Sequence, residues 1–208
     1  MARTKNGNPE GFSGKLGNVV GYTWKGRHCM RVWTSPKDKK SPAQLECRSI
    51  FGKMSSLGAA MLPIAKVGFR GLAEEGETTE KNVFVRFNSK CASVVDGEVK
   101  VDYTALRVAD GPLETVVFGE PTTVDGRVLS VTFSDESDAY RFDYVIFAAY
   151  IPEKHGCMLS EPVYRFTGKV EITLPESWAG LEAHLYGFCW DGGSKTSSSC
   201  YVGVLNNA

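Results

Sequence analysis

The sequence predicts a mainly β protein with a small helical insert (α+β). It divides into an N-terminal β-hairpin arm, a group of short helices and a C-terminal β-sandwich of the immunoglobulin or fibronectin kind. Three observations carry this. From Val99 onward, short alternating apolar stretches are separated by turn formers such as DG, PEK and WDGGS, as in antiparallel strands with one buried face. Between residues 41 and 98 the apolar spacing lengthens to that of helices. Before residue 41, the stretch GFSGKLGNVVGYTWKG sets five glycines among small polar residues and one tryptophan, which suits extended chain that another backbone can approach closely.

In the arm, residues 1–40, Val20, Tyr22 and Trp24 fall on one side of a strand and Val19, Gly21 and Thr23 on the other. Lys25-Gly26 reads as a tight turn and HCMRVW as the returning strand. A lone two-stranded hairpin is marginal in water, so the arm must lean on something else. Gly14, Gly17 and Gly21 are expected at points of close backbone approach. With Tyr22, Trp24, Lys25, Arg27 and Arg31 they form the candidate assembly arm.

In the helical segment, residues 41–98, Ser41 is placed to cap a helix, Pro42 fits its first turn and Gln44 completes a capping box. The helix is expected to run from Pro42 to about Leu57, with Leu45, Phe51, Met54 and Leu57 as its inward stripe. A second helical piece around Ala59 to Val67 is interrupted by Pro63, GFRGLAEEGETTE reads as a loop, and a third short helix around Lys81 to Ala92 buries Val83, Phe84 and Phe87.

In the sandwich, residues 99–208, the expected strands are VKVDYTALRV, RVLSVTFS, DYVIFAAYI, VYRF, VEITL, EAHLYGFCW and CYVGVL. Leu129, Val131 and Phe133 alternate in one of them, and Val170, Ile172 and Leu174 in another. The Cys, Trp, Cys spacing of antibody domains is missing. Trp178 in PESWAG is expected to plug one end. A hairpin across WDGGSKTSSS makes Cys189 and Cys200 cross-strand neighbours; disulfide and paired thiols both remain open.

With 208 residues, 42% of them hydrophobic, the chain can bury one good core or two modest ones. Lys and Arg balance Asp and Glu at 24 each, but the balance is uneven along the chain. Up to Met54 there are 11 basic and 3 acidic residues, a net +8; the remainder carries −8. Such polarity suits a basic end that meets an anionic partner, or copies that dock head to tail. No apolar run reaches membrane-spanning length, and MARTKNGNPE offers no signal-peptide core. The expectation is cytoplasmic synthesis without a signal peptide and no membrane span, with incorporation into a virion or extracellular assembly as a later step. The six cysteines lack any CxxC, and His28, His155 and His184 lie in separate segments, so no metal site is expected. Nucleophile-elbow, Walker and dinucleotide-binding motifs are missing too. The expectation is a protein that is not an enzyme and takes no cofactor.

The run GFSGKLGNVVGYTWKG, a basic stretch, SPAQLECRSIFGKM, and then LPESWAGLEAHLYGF ending in YVG resembles a family of uncharacterised Bacteroidetes proteins of about this length. The resemblance implies a link with phage or mobile elements and transfers no activity or catalytic residue. Two functions fit. In the first the chain is a structural, self-assembling virion, tail, tube or filament component. Its arm contacts other copies and other virion proteins, and nucleic acid is a further partner for the basic arm. In the second it is a non-catalytic module that recognises glycan or protein through the sandwich loops, with Tyr150, Trp190 and Tyr201 as aromatic platforms.

Overall fold

The computed structural model describes residues 3–4, 12–35, 37–124, 127–135 and 142–206. The chain divides into two compact units, Met1–Ser41 and Pro42–Ala208. The first is an antiparallel meander of β1 (Arg3–Thr4), β2 (Phe12–Leu16), β3 (Val19–Trp24) and β4 (Arg27–Val32), in that order across the sheet. It is therefore a four-stranded sheet, wider than the expected hairpin. Lys25 and Gly26 both hold positive φ, 47° and 77°, the two-residue turn whose twist matches antiparallel strands.

The second unit opens with helices α1 (Pro42–Ala60), α2 (Leu62–Gly68), α3 (Arg70–Glu75) and α4 (Glu80–Asn88). Pro63 does not interrupt a helix; it sits in the first turn of α2, where its missing N–H costs nothing. The segment expected as a loop contains α3, and its Thr79 caps α4 by accepting from the Asn82 N–H. α1 runs longer than expected, and Leu45 and Phe51 are exposed while Met54 and Leu57 are buried.

Strands follow: a hairpin of β5 (Ala92–Val95) and β6 (Glu98–Val101), then β7 (Val117–Phe118), β8 (Thr122–Val124), β9 (Val128–Ser134), β10 (Tyr144–Ile151), β11 (Gly156–Leu159), β12 (Val163–Tyr164), β13 (Lys169–Thr173), β14 (Glu182–Trp190) and β15 (Cys200–Asn206). One sheet has the order β11-β10-β14-β15, with β12 also on β10; the other is β13-β9-β7, with β8 on β9. Only the beginning of VKVDYTALRV is strand. Beyond Val101 the chain leaves the hairpin, and Tyr103 packs against the core.

β10 and β14 are buried on both faces. Ile146, Ala148, Tyr150, Tyr186 and Phe188 share one core with Met54, Ile64, Phe69 and Phe84 of the helical region. Val145, Phe147, Ala149, Ile151, Ala183 and Leu185 share another with Leu129, Val131, Val170 and Ile172 of the second sheet. The result is three layers, helices on sheet on sheet. This corrects the division at residue 98: the helices are not a separate segment, because they supply one wall of the core that the sandwich sheet completes. Trp178 packs at the edge of the second core, with its ring where a Gly156 Cβ would stand.

The layers are stitched by polar groups. Asn88 is fully buried; its Nδ2 donates to the carbonyls of Phe84 (3.0 Å) and Arg107 (2.7 Å), and its Oδ1 accepts the Arg107 N–H (2.8 Å). Thr196 Oγ1 donates to the carbonyls of Gly68 and Asp110, while Ser199 Oγ accepts the Val108 N–H. Arg165, also buried, donates from Nε (2.8 Å) and Nη2 (3.1 Å) to the Asp135 carboxylate, and from Nη1 to the Glu114 carbonyl. Such a two-pronged pair fixes orientation as well as charge.

Two predictions follow from this packing. Gly187 lies under the Phe118 ring, which occupies the space a Cβ would need. Gly187→Val should cost about 1–3 kcal/mol in thermal or urea unfolding, whereas Gly52→Ala, in exposed α1 with nothing nearby, should be neutral or stabilising by up to about 1 kcal/mol. Asn88→Ala removes three hydrogen bonds made by a fully buried side chain, one to the Phe84 carbonyl and two to the Arg107 backbone, and should cost about 1–3 kcal/mol in the same measurement.

Candidate assembly and binding surfaces

Strand alternation sorts the N-terminal sheet into two faces. Directly paired residues share a face, and the pairs run Leu16 with Val19 with Val32, and Gly14 with Gly21 with Met30. Phe12, Thr23 and His28 belong to the same side by period two. This face is apolar. A Cβ on Gly21 would stand 2.5 Å from the Phe12 carbonyl oxygen and 2.6 Å from its ring, so Gly21 is the seat on which that ring rests. Phe12, 8% exposed, is the one buried apolar side chain among the described residues of this unit. Leu16, Met30 and Val32 are 64%, 68% and 70% exposed.

The opposite face carries Lys15 with Val20 with Arg31, Tyr22 with Cys29, and Trp24 with Arg27. Trp33 joins it just beyond β4, with Lys15 Nζ 3.5 Å from its ring centroid. Lys25 in the turn places Nζ 5.1 Å from the centroid of Trp24, a ring 58% exposed. Cations and rings alternate here, and the sequence contains no Asp or Glu from Gly11 to Lys37. Of the residues marked from sequence, Tyr22, Trp24, Arg27 and Arg31 meet on this face, Gly14 and Gly21 lie on the apolar one, and Gly17 and Lys25 are in turns. Gly17 has positive φ, 58°, and open space around it. Lys15 and Trp33 join the marked residues on the basic face, and the apolar trio Leu16, Met30 and Val32 is not among the residues the sequence marks. Their signal was the period-two pattern of FSGKL set beside that of RHCMRV, visible once three strands are laid in register.

In the second unit the first half of α1 is bare: residues 42–49 are all exposed, as is Phe51. Elsewhere, the three residues expected as a ligand platform do not form one. Tyr150 is buried among the helix-facing core residues, and burial pushes its phenol up to about 12. Tyr201 is half-buried and its hydroxyl lies 3.0 Å from His184 Nδ1. The His184 ring stacks on Tyr103 at 4.4 Å between centroids. Burial lowers its pKa, partly opposed by Glu182, whose Oε1 lies 3.1 Å from Nε2 without the alignment of a hydrogen bond. Trp190 donates its indole N–H to the Gly193 carbonyl and lies in a different cluster. It neighbours Tyr144, which stacks on Tyr164, which stacks on Phe166, with centroids 5.8, 4.9 and 5.3 Å apart in turn. Tyr164 and Phe166 are exposed. This aromatic row was not foreseen, because VYRF reads as a plain strand and its partner DYVIF lies some twenty residues earlier.

All six cysteines are free thiols. Cys189 and Cys200 are not cross-strand neighbours: Cys200 pairs with Gly187, and the Cys189 carbonyl accepts the Ser197 N–H. The segment between them is a broad loop docked on the helices, with Thr196 bound to Gly68, so the strands enter offset. Among the described residues no three His, Cys, Asp or Glu side chains gather as a metal ion would need, and no helix is long and apolar enough to cross a membrane.

No curated protein and no solved structure matches the chain. A family model does match, over residues 11–203, nearly the whole length including the arm from Gly11 onward. The chain belongs to the family of unknown function DUF6266.

Proposed function

We propose that the chain is a structural, self-assembling subunit whose N-terminal sheet makes the contacts between copies. The observation that carries the reading is the open apolar face: Leu16, Met30 and Val32 are each about two-thirds exposed around a single buried phenylalanine. Burying one such ring contributes about 2–3 kcal/mol, little against the roughly 1–2 kcal/mol needed to fix the backbone of each residue. A sheet so poorly covered needs a partner. Among its described residues the face carries no Asp, Glu, Lys or Arg, so its best match is another uncharged apolar face of the same kind. Two copies docked through it form a closed pair of sheets about 10 Å apart. The bare first half of α1, with Leu45 and Phe51 exposed, gives each copy a further surface. Growth past a pair, into a virion, tail, tube or filament, uses that second contact.

A second reading, a glycan-binding module, is favoured by the row Trp190, Tyr144, Tyr164 and Phe166 beside the Asp191-Gly192-Gly193 turn, since sugar rings stack on flat exposed aromatics next to polar groups. It stands on the sandwich and is independent of the arm.

The full-length triple variant Leu16→Ser, Met30→Ser, Val32→Ser tests the first reading by light scattering coupled to size exclusion. The wild type is expected as an oligomer and the variant as a monomer, with the melting of the second unit unchanged. A monomeric wild type, or a triple variant that keeps the wild-type mass, would reject the apolar face as the connector.

A further inference from the structure

We infer that the opposite face of the N-terminal sheet binds single-stranded nucleic acid. The face combines the two components such binding needs, cations that follow a phosphate backbone and exposed flat rings on which bases stack. Lys15, Lys25, Arg27 and Arg31 supply the charge, unopposed by any acid between Gly11 and Lys37. Tyr22, Trp24 and Trp33 supply the rings, all exposed. The arrangement matters more than the inventory. Tyr22 and Trp24 are two residues apart on one strand, hence about 6–7 Å along it, and their cross-strand partners are Cys29 and Arg27. In the Trp24–Arg27 pair a ring and a cation lie side by side across the strands, while Lys25 and Lys15 bring their ammonium groups over Trp24 and Trp33.

A base laid on the Trp24 ring has its own phosphate within reach of Arg27 or Lys25. Stacking also selects the strandedness: bases in a duplex have both faces covered by their neighbours and offer only edges and phosphates to a flat sheet. The acidic remainder of another copy is the competing occupant of a basic face. It accounts for the cations but gives no use to three exposed aromatic rings placed among them. Since the assembly proposed above uses the apolar side, both faces can be engaged together, the nucleic acid lying on the outside of a paired sheet.

The test is fluorescence anisotropy of the full-length chain with labelled dT20, labelled rU20 and a 20-base-pair duplex. At about 0.05 M salt one or both single strands are expected to bind more tightly than the duplex; which of the two binds better separates DNA from RNA as the natural ligand, and either supports the inference. If all four cations engage, affinity should fall roughly fiftyfold between about 0.05 and 0.2 M salt. Trp24→Ala and Trp33→Ala keep the charge, and each is expected to weaken binding at least about fivefold. Arg27→Glu with Arg31→Glu should abolish it. Light scattering on the same samples should show the wild-type oligomer for every one of these variants. Absence of binding to both single strands, equal or tighter binding of the duplex, or unchanged affinity in the two tryptophan variants would each overturn the inference while leaving the assembly reading untouched. Loss of the oligomer in the Arg27→Glu, Arg31→Glu variant would overturn it in favour of docking between copies through charge.

Discussion

The second unit depends on one constraint: β10 and β14 are buried on both faces. Each therefore has to present apolar side chains at successive positions, and YVIFAAYI and AHLYGFC do so. Alternate residues serve different neighbours, one set meeting the helices and the other the second sheet. A one-residue slip in their pairing would exchange the two sets and bring Tyr150 and Tyr186 against the small second sheet. The small residues Ala148, Ala149 and Gly187 leave room at these strands, and the Phe118 ring fills the space over Gly187. Everything else in the unit is positioned by this pair, including the helices, which bury Met54, Met61, Ile64 and Phe69 only because the sheet gives them a surface.

The N-terminal unit is built on the opposite principle. Its strands alternate apolar with basic or aromatic residues, and among the described residues of the unit nothing covers either face. Gly21 and Phe12 make a local contact, the two-residue turn at Lys25-Gly26 fixes the register, and the described residues of the unit bury no other apolar side chain. In the proposed reading the apolar side meets its like on another copy, and the basic aromatic side meets a flexible polyanion. The same charge division, +8 before residue 55 and −8 after it, was visible in the sequence as a total. The register is what concentrates the arm's share on one side of a sheet.

Much of the architecture was legible from periodicity alone. RVLSVTFS, DYVIFAAYI, VEITL, EAHLYGFCW and CYVGVL are β9, β10, β13, β14 and β15, because period-two alternation and long apolar runs with β-branched residues have few other solutions. The stripe on α1 misled at Leu45 and Phe51, since helical spacing says which residues share a face and not whether anything covers it. Arg70 to Glu75 reads as loop because Gly71 and two acids outweigh one apolar turn; tertiary contact through Ala73 decides otherwise. The ligand platform failed at Tyr150 for a related reason: in a strand buried on both sides a tyrosine is core whichever way it points. The face of the arm was only half legible, as Lys15 and Trp33 become neighbours through pairing between strands distant by up to eighteen residues.

The central claim is that the N-terminal sheet is held by other copies of the chain. Amide hydrogen exchange of the intact protein followed over a wide dilution series tests it most directly, because protection of a segment reports how often its hydrogen bonds open. The account predicts that amides of residues 12–33 are protected at high concentration and lose protection on dilution, while those of β10 and β14 stay protected throughout. Protection of residues 12–33 that is the same at every concentration, or that is missing even in the most concentrated sample, would contradict it.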